Sequence, residues 1–291
     1  MRSITFNEAL KAEAPLQVAG VTNAYCALLA ERAGFSALYL SGAGVANACF
    51  GLPDLGVITC SDVIEEARRI RSVTSLPLLV DGDAGGSSPL LIERLITGLI
   101  QVGASGVHIE DQVAVKRCGH RTGKELVSSA EMEARIRVAA DARGSQNFMI
   151  MARTDALAPE GIEGALERSR AYVSAGADAV FAEAVRSIED VRAFTGQLDV
   201  PVLVNITEFG QSPMFTRSEL ASADVGFALY PLSAFRAMSR AAERVYAAIR
   251  NDGTQVDLLP EMQTRSELYD VLGYLEAETR VDAFLAGRDD L

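Results

Sequence analysis

The chain has 291 residues, of which 49% are hydrophobic and 23% are charged, and its formal net charge at pH 7 is -12. This composition is typical of a folded globular protein and excludes an intrinsically disordered one. The excess of negative charge argues against a general nucleic-acid or anionic-membrane surface, because both would repel the chain at long range. We therefore expect a small-molecule partner, with no nucleic acid and no membrane.

The cysteines and the N-terminus indicate the compartment. The four cysteines form no Cys-x-x-Cys pair and are too few for a disulfide scaffold at this length. Charged residues interrupt the first twenty positions, where a secretory signal would be apolar. No segment approaches the roughly 18 apolar residues of a membrane span. We therefore expect a cytoplasmic protein.

Short apolar runs rich in β-branched residues alternate along the chain with stretches of helical period. The pattern predicts strands over 17–22, 37–41, 76–81, 106–110, 148–153, 179–183, 201–206 and 225–230. It predicts helices over 61–73, 88–102, 129–142, 162–175, 187–197, 217–222 and 233–249.

Eight strands that are apolar throughout are buried on both faces, which favours a closed parallel (β/α)8 barrel, an α/β fold of the TIM type, over residues 1–250. A doubly wound open sheet is the alternative. It would need a glycine-rich phosphate turn after the first strand, and residues 20–23 do not form one.

Residues 251–291 form a C-terminal helical extension. A helical stretch over 264–284 carries apolar residues at helical spacing, among them Leu268, Leu272 and Leu275. A barrel already ringed by eight helices offers little surface to cover them. We predict that the extension packs on a partner subunit, and the alternative is a helix folded back on its own barrel.

A basic run at residues 116–121 stands out against the acidic background, with the sequence Lys-Arg-Cys-Gly-His-Arg. Neighbouring cations favour the thiolate and so lower the pKa of a thiol such as Cys118. Gly119 lets a ligand approach the backbone closely. The run predicts a reactive thiol beside an anionic small molecule, and the alternative is a solvated basic loop.

Polar side chains end several of the apolar runs, and in a parallel barrel the carboxyl ends of the strands carry the catalytic groups. Asp81 and Asp83 end the third strand, and Glu110 ends the fourth. Two carboxylates this close suit Mg²⁺, or Mn²⁺ in its place, because such a cation takes one or two protein carboxylates and completes its shell with water and substrate oxygens. The alternative is an Asp-Gly-Asp turn with capping carboxylates.

Two arginines are candidates for binding substrate carboxylates, because the guanidinium fork matches a carboxylate and stays charged. Arg153 ends the fifth strand, and we favour it. Arg236 lies in the first turns of the helix over 233–249, where a surface ion pair is an equal alternative.

Eight stretches resemble the isocitrate lyase and phosphoenolpyruvate mutase superfamily, namely 39–44, 51–56, 76–83, 108–121, 150–156, 205–210, 228–238 and 262–268. Within it, the cysteine of the basic run and the chain length favour the carbon–carbon lyases that act on 2-methylisocitrate. The resemblance implies Mg²⁺-dependent cleavage of that acid to pyruvate and succinate in propionate catabolism through the methylcitrate cycle. It also implies a homotetramer with exchanged C-terminal helices.

The resemblance implies roles for individual residues. Asp81 and Asp83 would hold the metal, with Asp54 and Glu110 behind them. Cys118 would act as the general acid with its pKa tuned by His120, and the base would be Tyr39 or a metal-bound water. The implied catalytic set is Cys118, His120, Tyr39 and Glu110. The implied substrate contacts are Ser41, Gly42, Ala43, Cys118, Gly119, Arg153, Phe181, Glu183, Asn205, Ile206, Thr207, Leu229, Arg236 and Arg265. Of these, Phe181 and Leu229 would form the pocket for the extra methyl group.

The chain departs from the family pattern in the metal loop. Members commonly read Asp-Ala-Asp-x-Gly-x-Gly, and residues 81–86 read Asp-Gly-Asp-Ala-Gly-Gly, which is one residue shorter. Two smaller departures are Ala43 for a glycine and Ala182 for a proline. The alternatives to the main hypothesis are a lyase for another 2-hydroxy-polycarboxylate, such as isocitrate or 2,3-dimethylmalate, and a catalytically idle barrel that binds a dicarboxylate.

Overall fold

The computed structural model describes residues 4–113, 119 and 123–287. Eight parallel strands close into a barrel in chain order, and β8 pairs with β1 to complete the ring. The strands are β1 (Leu16–Gly20), β2 (Ala37–Leu40), β3 (Leu78–Asp81), β4 (Gly106–Glu110), β5 (Met149–Thr154), β6 (Ala179–Ala182), β7 (Val202–Asn205) and β8 (Phe227–Tyr230). The predicted (β/α)8 barrel is confirmed.

One helix precedes β1, and helices follow every strand. They are α1 (Phe6–Ala12), α2 (Ala24–Arg32), α3 (Gly42–Phe50), α4 (Cys60–Arg71), α5 (Pro89–Gln101), α6 (Ser129–Arg143), α7 (Leu157–Ser174), α8 (Ile188–Thr195), α9 (Arg217–Ala221), α10 (Ser233–Asp252), α11 (Arg265–Leu272) and α12 (Tyr274–Leu285). A 3₁₀ helix, Val256–Glu261, lies between α10 and α11. No helix of the described part of the chain is long and apolar enough to cross a membrane.

Side-chain caps fix where the helices begin. At α4, the Thr59 hydroxyl accepts from the Asp62 N–H and the Asp62 carboxylate accepts from the Thr59 N–H at 2.7 Å, so the two satisfy each other's exposed backbone groups. At α3, the Ser41 hydroxyl accepts from the Gly44 N–H at 3.2 Å. This second cap starts a helix immediately after β2, at the carboxyl rim of the barrel.

The core has two layers, because successive strand residues point to opposite faces. In β5, Met149 and Met151 belong to the apolar cluster inside the barrel, which also holds Phe227. Ile150 and Ala152 belong to a cluster packed between the strands and the helices. Residues at the strand ends that continue the inward alternation are therefore the ones that reach the barrel mouth.

The chain divides into two compact units, Met1–Phe235 and Arg236–Leu291. The first contains the closed barrel. The second contains most of α10 and all of α11 and α12, each described in full, and none of the residues in these three helices is buried. The expected division at residue 250, with 251–291 packing on a partner, stays a prediction.

Two helices differ from the sequence-based expectation because of glycine. The single helix expected over 264–284 is two helices, separated by Gly273, whose φ of 61° is left-handed and ends α11. The helix expected from 162 begins at Leu157 in the structure. Its regular part starts after Gly161, where φ is 73°.

Candidate active site

Polar side chains from neighbouring strands are connected by hydrogen bonds and ion pairs at the carboxyl end of the barrel. Asp81 ends β3, and the Asp83 N–H donates to its Oδ1 at 3.1 Å. The Gly42 N–H donates to Oδ2 of Asp81 at 3.0 Å. The metal loop and the first turn of α3 are thereby joined directly.

The two aspartates converge on one point. A Cβ atom on Gly42 would lie 3.2 Å from Oδ2 of Asp81 and 3.4 Å from Oδ1 of Asp83. Glycine is therefore the residue that leaves the two carboxylate oxygens room to share a ligand. Like charges held this close favour a bound cation, because the cation offsets their repulsion.

The ligand supply at this point fits a hard cation that is bound together with a substrate. Among residues 4–113, 119 and 123–287, no group of three or more His, Cys, Asp or Glu side chains could hold a metal ion. Mg²⁺ commonly takes one or two protein carboxylates and otherwise uses water and substrate oxygens. Asp81 and Asp83 therefore fit Mg²⁺ better than they fit a metal held by protein side chains alone.

Tyr39 and His108 connect this loop to the barrel interior. The Tyr39 hydroxyl lies 2.9 Å from Nε2 of His108, and that nitrogen lies 3.5 Å from Oδ1 of Asp81. Both rings are buried and stacked, with centroids 5.7 Å apart. Burial, and after it the negative charge of Asp81, raises the pKa of Tyr39 well above its usual value, so the phenol keeps its proton at neutral pH.

Arg153 is the centre of a buried ion network. Its Nε lies 3.0 Å from Oδ2 of Asp155 and 3.3 Å from Oε2 of Glu110, and its Nη2 lies 3.1 Å from Oε2 of Glu183. Burial alone would favour the neutral guanidine. The carboxylates of Asp155, Glu110 and Glu183 outweigh burial and raise the pKa of Arg153 well above its usual value. The guanidinium is thus a fixed positive charge at the barrel mouth.

An aromatic ring supports that charge. The guanidinium carbon of Arg153 lies 5.1 Å from the centroid of the Phe181 ring, and the same ring meets His108 edge to face at 5.2 Å. Leu229 belongs to the same cluster inside the barrel and is buried. Phe181 and Leu229 therefore both lie in the apolar interior.

Glu183 is held from two further directions. Its Oε1 accepts from the Ala184 N–H at 2.9 Å and from Nδ2 of Asn205 at 3.3 Å. Ala184 has a φ of 57°, a left-handed conformation that costs a residue with a Cβ about 1 to 2 kcal/mol. Such strain is typical of functional sites, where surrounding contacts hold the backbone in place.

The basic run reaches this network at Gly119. Cys118 and His120 lie outside the described residues, and Gly119 is described and buried. A Cβ on Gly119 would lie 2.7 Å from Oε2 of Glu183 and would also overlap the Arg153 guanidinium. Glycine at this position therefore lets the backbone lie directly against the Arg153–Glu183 ion pair.

The remaining candidates in the barrel unit differ in their placement. Ser41 caps α3, and Ala43 lies in the first turn of that helix. Thr207 is buried just after β7. The structure does not bring the Ile206 side chain to the mouth, because it packs in the cluster between strands and helices. Asp54 lies partly buried in the segment after α3.

Arg236 and Arg265 belong to the second compact unit. Arg236 lies near the start of α10 and Arg265 begins α11, and both residues are exposed. Their role as substrate ligands stays a prediction.

The residues predicted from the sequence to form the site do not include Asp155 or Lys124, which both belong to the network. Asp155 follows β5 and binds Arg153, so its place two residues after a strand-end arginine was an available signal. Lys124 lies 2.8 Å from Oδ1 of Asp155. Its position just beyond the basic run gives no indication of burial, because only the tertiary structure brings it to Asp155.

The family model described as phosphoenolpyruvate phosphomutase matches residues 6–250. The chain belongs to the phosphoenolpyruvate mutase and isocitrate lyase family. It is 55% identical over 279 residues to a protein of Salmonella typhimurium named 2-methylisocitrate lyase, and the match covers 96% of this chain and 95% of that protein. The prediction of an enzyme in the lyase branch of this family is confirmed.

Solved structures of the family have the same architecture. The structure of 2,3-dimethylmalate lyase, described as a family member, aligns with a TM-score of 0.88 and 33% identity over 97% of this chain and 96% of that one. A phosphonopyruvate hydrolase in complex with oxalate and Mg²⁺ aligns with a TM-score of 0.82 and 28% identity over 97% of this chain and all of that one. Metal dependence is general in the family.

Proposed function

We propose that this protein is a Mg²⁺-dependent lyase that cleaves 2-methylisocitrate to pyruvate and succinate. The observation that carries the proposal is the convergence of the Asp81 and Asp83 carboxylates on one point beside the first turn of α3. The high identity to a protein named 2-methylisocitrate lyase supports the choice of substrate.

The reaction breaks the bond between the hydroxyl-bearing carbon and its neighbour. The hydroxyl loses its proton and becomes the keto group of pyruvate, and the bonding electron pair stays on the carbon that becomes part of succinate. That carbon then takes a proton. Negative charge thus develops on the hydroxyl oxygen and on the succinate half, so cations and hydrogen-bond donors must surround both.

Asp81 and Asp83 would hold the metal, Mg²⁺ or Mn²⁺, with Glu110 and Asp54 behind them. The bound cation would supply charge stabilisation at the hydroxyl oxygen and the adjacent carboxylate. Mn²⁺ suits the same oxygen donors.

The first turn of α3 would bind the carboxylate that becomes part of pyruvate. The Gly42 N–H donates to Asp81 and the Gly44 N–H donates to Ser41, which leaves the Ala43 N–H of this turn for the ligand. A helix N-terminus favours an anion because its exposed N–H groups carry partial positive charge.

The reaction needs two proton transfers, one to the succinate carbon and one from the hydroxyl group. Cys118 would donate the proton to the succinate carbon, with its pKa tuned by His120 and the neighbouring cations. At the hydroxyl end of the substrate, Tyr39 is hydrogen-bonded to His108. Because the pKa of Tyr39 is raised, its phenol is protonated before the reaction begins. We propose that Tyr39 takes the hydroxyl proton as it transfers its own proton to Nε2 of His108, which thereby receives the proton.

The other substrate groups would meet Arg153, with Glu183, Asn205 and Thr207 beside it. Arg236 and Arg265 stay predicted substrate ligands. Phe181 and Leu229 would bound the space for the extra methyl group. One methyl group is worth about 1 to 3 kcal/mol of discrimination, so related acids should react more slowly and not be excluded.

The second compact unit bears on the assembly. Large apolar residues of α10 to α12 are exposed, including Tyr246, Leu272, Leu275 and Phe284. We propose a cytoplasmic homotetramer in which the C-terminal helices are exchanged between subunits and these residues are covered. Light scattering should give the mass of four chains, and a monomer would contradict the proposal.

The substrate is tested by comparing kcat/KM for 2-methylisocitrate, isocitrate and 2,3-dimethylmalate under one set of conditions with Mg²⁺. We expect the first to exceed each of the others by about 10- to 200-fold. A higher value for either competitor would assign the protein to that acid. Absence of turnover on all three would favour an idle dicarboxylate-binding barrel.

A further inference from the structure

Lys124 is a nearly buried ammonium group with two firm partners. Its side chain is 4% exposed. Its Nζ donates to the backbone carbonyl of Gly119 at 2.7 Å and to Oδ1 of Asp155 at 2.8 Å. Burying a charge is costly unless it is paired, so the ion pair with Asp155 fixes where this ammonium can lie.

Asp155 is a rigid anchor for that pair. Its backbone N–H donates to Oδ1 of Asp111 at 2.8 Å, and its carboxylate also binds the Arg153 guanidinium. Asp111 in turn accepts from the hydroxyls of Thr154 at 2.8 Å and Tyr172 at 2.9 Å. The anchor is therefore built from β5, the end of β4 and α7.

At its other end, Lys124 holds a backbone segment that lies on the candidate site. Gly119 is packed so closely on Glu183 and Arg153 that no side chain would fit. The carboxylate of Asp155 thus binds both the Arg153 guanidinium and the Lys124 ammonium. Lys124 in turn binds the Gly119 backbone that lies on Arg153.

We propose that Lys124 is a positioning residue for the lyase reaction, which holds the Gly119 backbone against the Arg153–Glu183 ion pair by bridging it to Asp155. The inference rests on the proposed function for its catalytic consequence. Gly119 lies directly on Arg153 and Glu183, which are proposed substrate contacts, so displacement of Gly119 would disturb both of them. Misplacement by about 1 Å can cost roughly 100-fold in rate.

The test compares Lys124→Met, which removes the ammonium, with Lys124→Arg, which keeps a charge and donors. Lys11→Met is the matched control, because Lys11 is exposed at the end of α1. The first measurement is backbone hydrogen exchange of the peptide that contains Gly119, in the absence of substrate. Peptides from β5 serve as the internal reference for an intact fold.

We expect exchange at the Gly119 peptide to be about tenfold faster in Lys124→Met, with β5 unchanged. The value of kcat on 2-methylisocitrate should fall about 100-fold, and Lys124→Arg should recover part of both effects. Lys11→Met should match the unmodified protein. Faster exchange at β5 in Lys124→Met would instead assign Lys124 a role in the stability of the whole barrel and overturn the proposal.

The two proposals can fail separately. If the unmodified protein cleaves 2-methylisocitrate while Lys124→Met changes neither exchange nor kcat, the positioning role is wrong and the lyase function stands. If the unmodified protein cleaves none of the three acids while exchange at Gly119 still accelerates in Lys124→Met, the bridge stands and the lyase function is wrong.

Discussion

Gly42 donates its backbone N–H to the carboxylate of Asp81 at 3.0 Å, so the start of α3 and the end of β3 form one structural unit. A helix N-terminus and a pair of carboxylates normally attract opposite charges. Placed side by side, they suit a ligand that presents an anionic group to the helix and a cation to the aspartates. A metal-bound carboxylate substrate has this arrangement of charges.

Gly42→Ala should weaken Mg²⁺ binding. The added Cβ would lie 3.2 Å from Oδ2 of Asp81 and 3.4 Å from Oδ1 of Asp83, in contact with both oxygens. We expect the Mg²⁺ concentration for half-maximal activity to rise about tenfold, which corresponds to about 1.4 kcal/mol. Gly44→Ala in the same helix is the control, because its Cβ would meet only carbon atoms. An equal effect in both variants would show that the helix, and not the metal site, is disturbed.

Asp83→Asn should abolish stabilisation by Mg²⁺. A ligand that binds only the folded protein stabilises it by about 2.7 kcal/mol at one hundred times its Kd. We expect Mg²⁺ to raise Tm by several degrees in the unmodified protein and in Asp141→Asn, an exposed site on α6. Asp83→Asn should show no shift. A full shift in Asp83→Asn would place the metal elsewhere.

Arg153→Met should destabilise the fold strongly. It would leave the buried carboxylates of Asp155, Glu110 and Glu183 without their shared cation, and breaking a buried pair from one side costs about 3 to 5 kcal/mol. Urea unfolding at pH 7 measures this loss in the free energy of unfolding. Arg137→Met, which removes an exposed pair with Glu133 on α6, should cost less than about 1 kcal/mol.

Asp111 and Asp62 should show opposite pH dependence of stability. Burial raises the pKa of Asp111 in the folded state, so its contribution is greatest below the unfolded value of about 3.9 and declines as the pH rises. Hydrogen bonds from Thr59 lower the pKa of Asp62, so its contribution is present above that value and is lost as the pH falls.

Urea unfolding between pH 3.5 and 6 separates the two cases. The stability difference between the unmodified protein and Asp111→Asn should decrease with rising pH, and the difference from Asp62→Asn should increase. Parallel trends in the two variants would contradict the environments described for these carboxyls.

The sequence predicted the barrel well because strand burial leaves a strong signal. The fourth strand has the predicted bounds, 106–110, since a glycine begins it, Val107 and Ile109 lie on either side of His108, and acidic residues follow from position 110. The second strand was predicted over 37–41, and in the structure it ends at Leu40 and Ser41 caps α3. The serine cap was visible in the sequence, but three small residues after it carry little helical signal.

The site was predictable only where residues lie at strand ends. Asp81, Glu110, Arg153 and Glu183 follow that rule, and the structure brings them together. Ile206 comes one residue after an inward-facing asparagine, so strand alternation sends its side chain outward. The bridge from Lys124 to Asp155 joins residues far apart in the chain, and no local pattern encodes such a contact.

We propose that this protein breaks one carbon–carbon bond of 2-methylisocitrate with the help of a divalent cation held by Asp81 and Asp83. The most direct measurement is quantitation of pyruvate and succinate from that acid with Mg²⁺, after removal of the metal with EDTA, and after its return. We expect equal amounts of both products with Mg²⁺, none with EDTA, and recovery when Mg²⁺ is restored. Product formation that is unchanged by EDTA, or absence of both products with Mg²⁺, would contradict it.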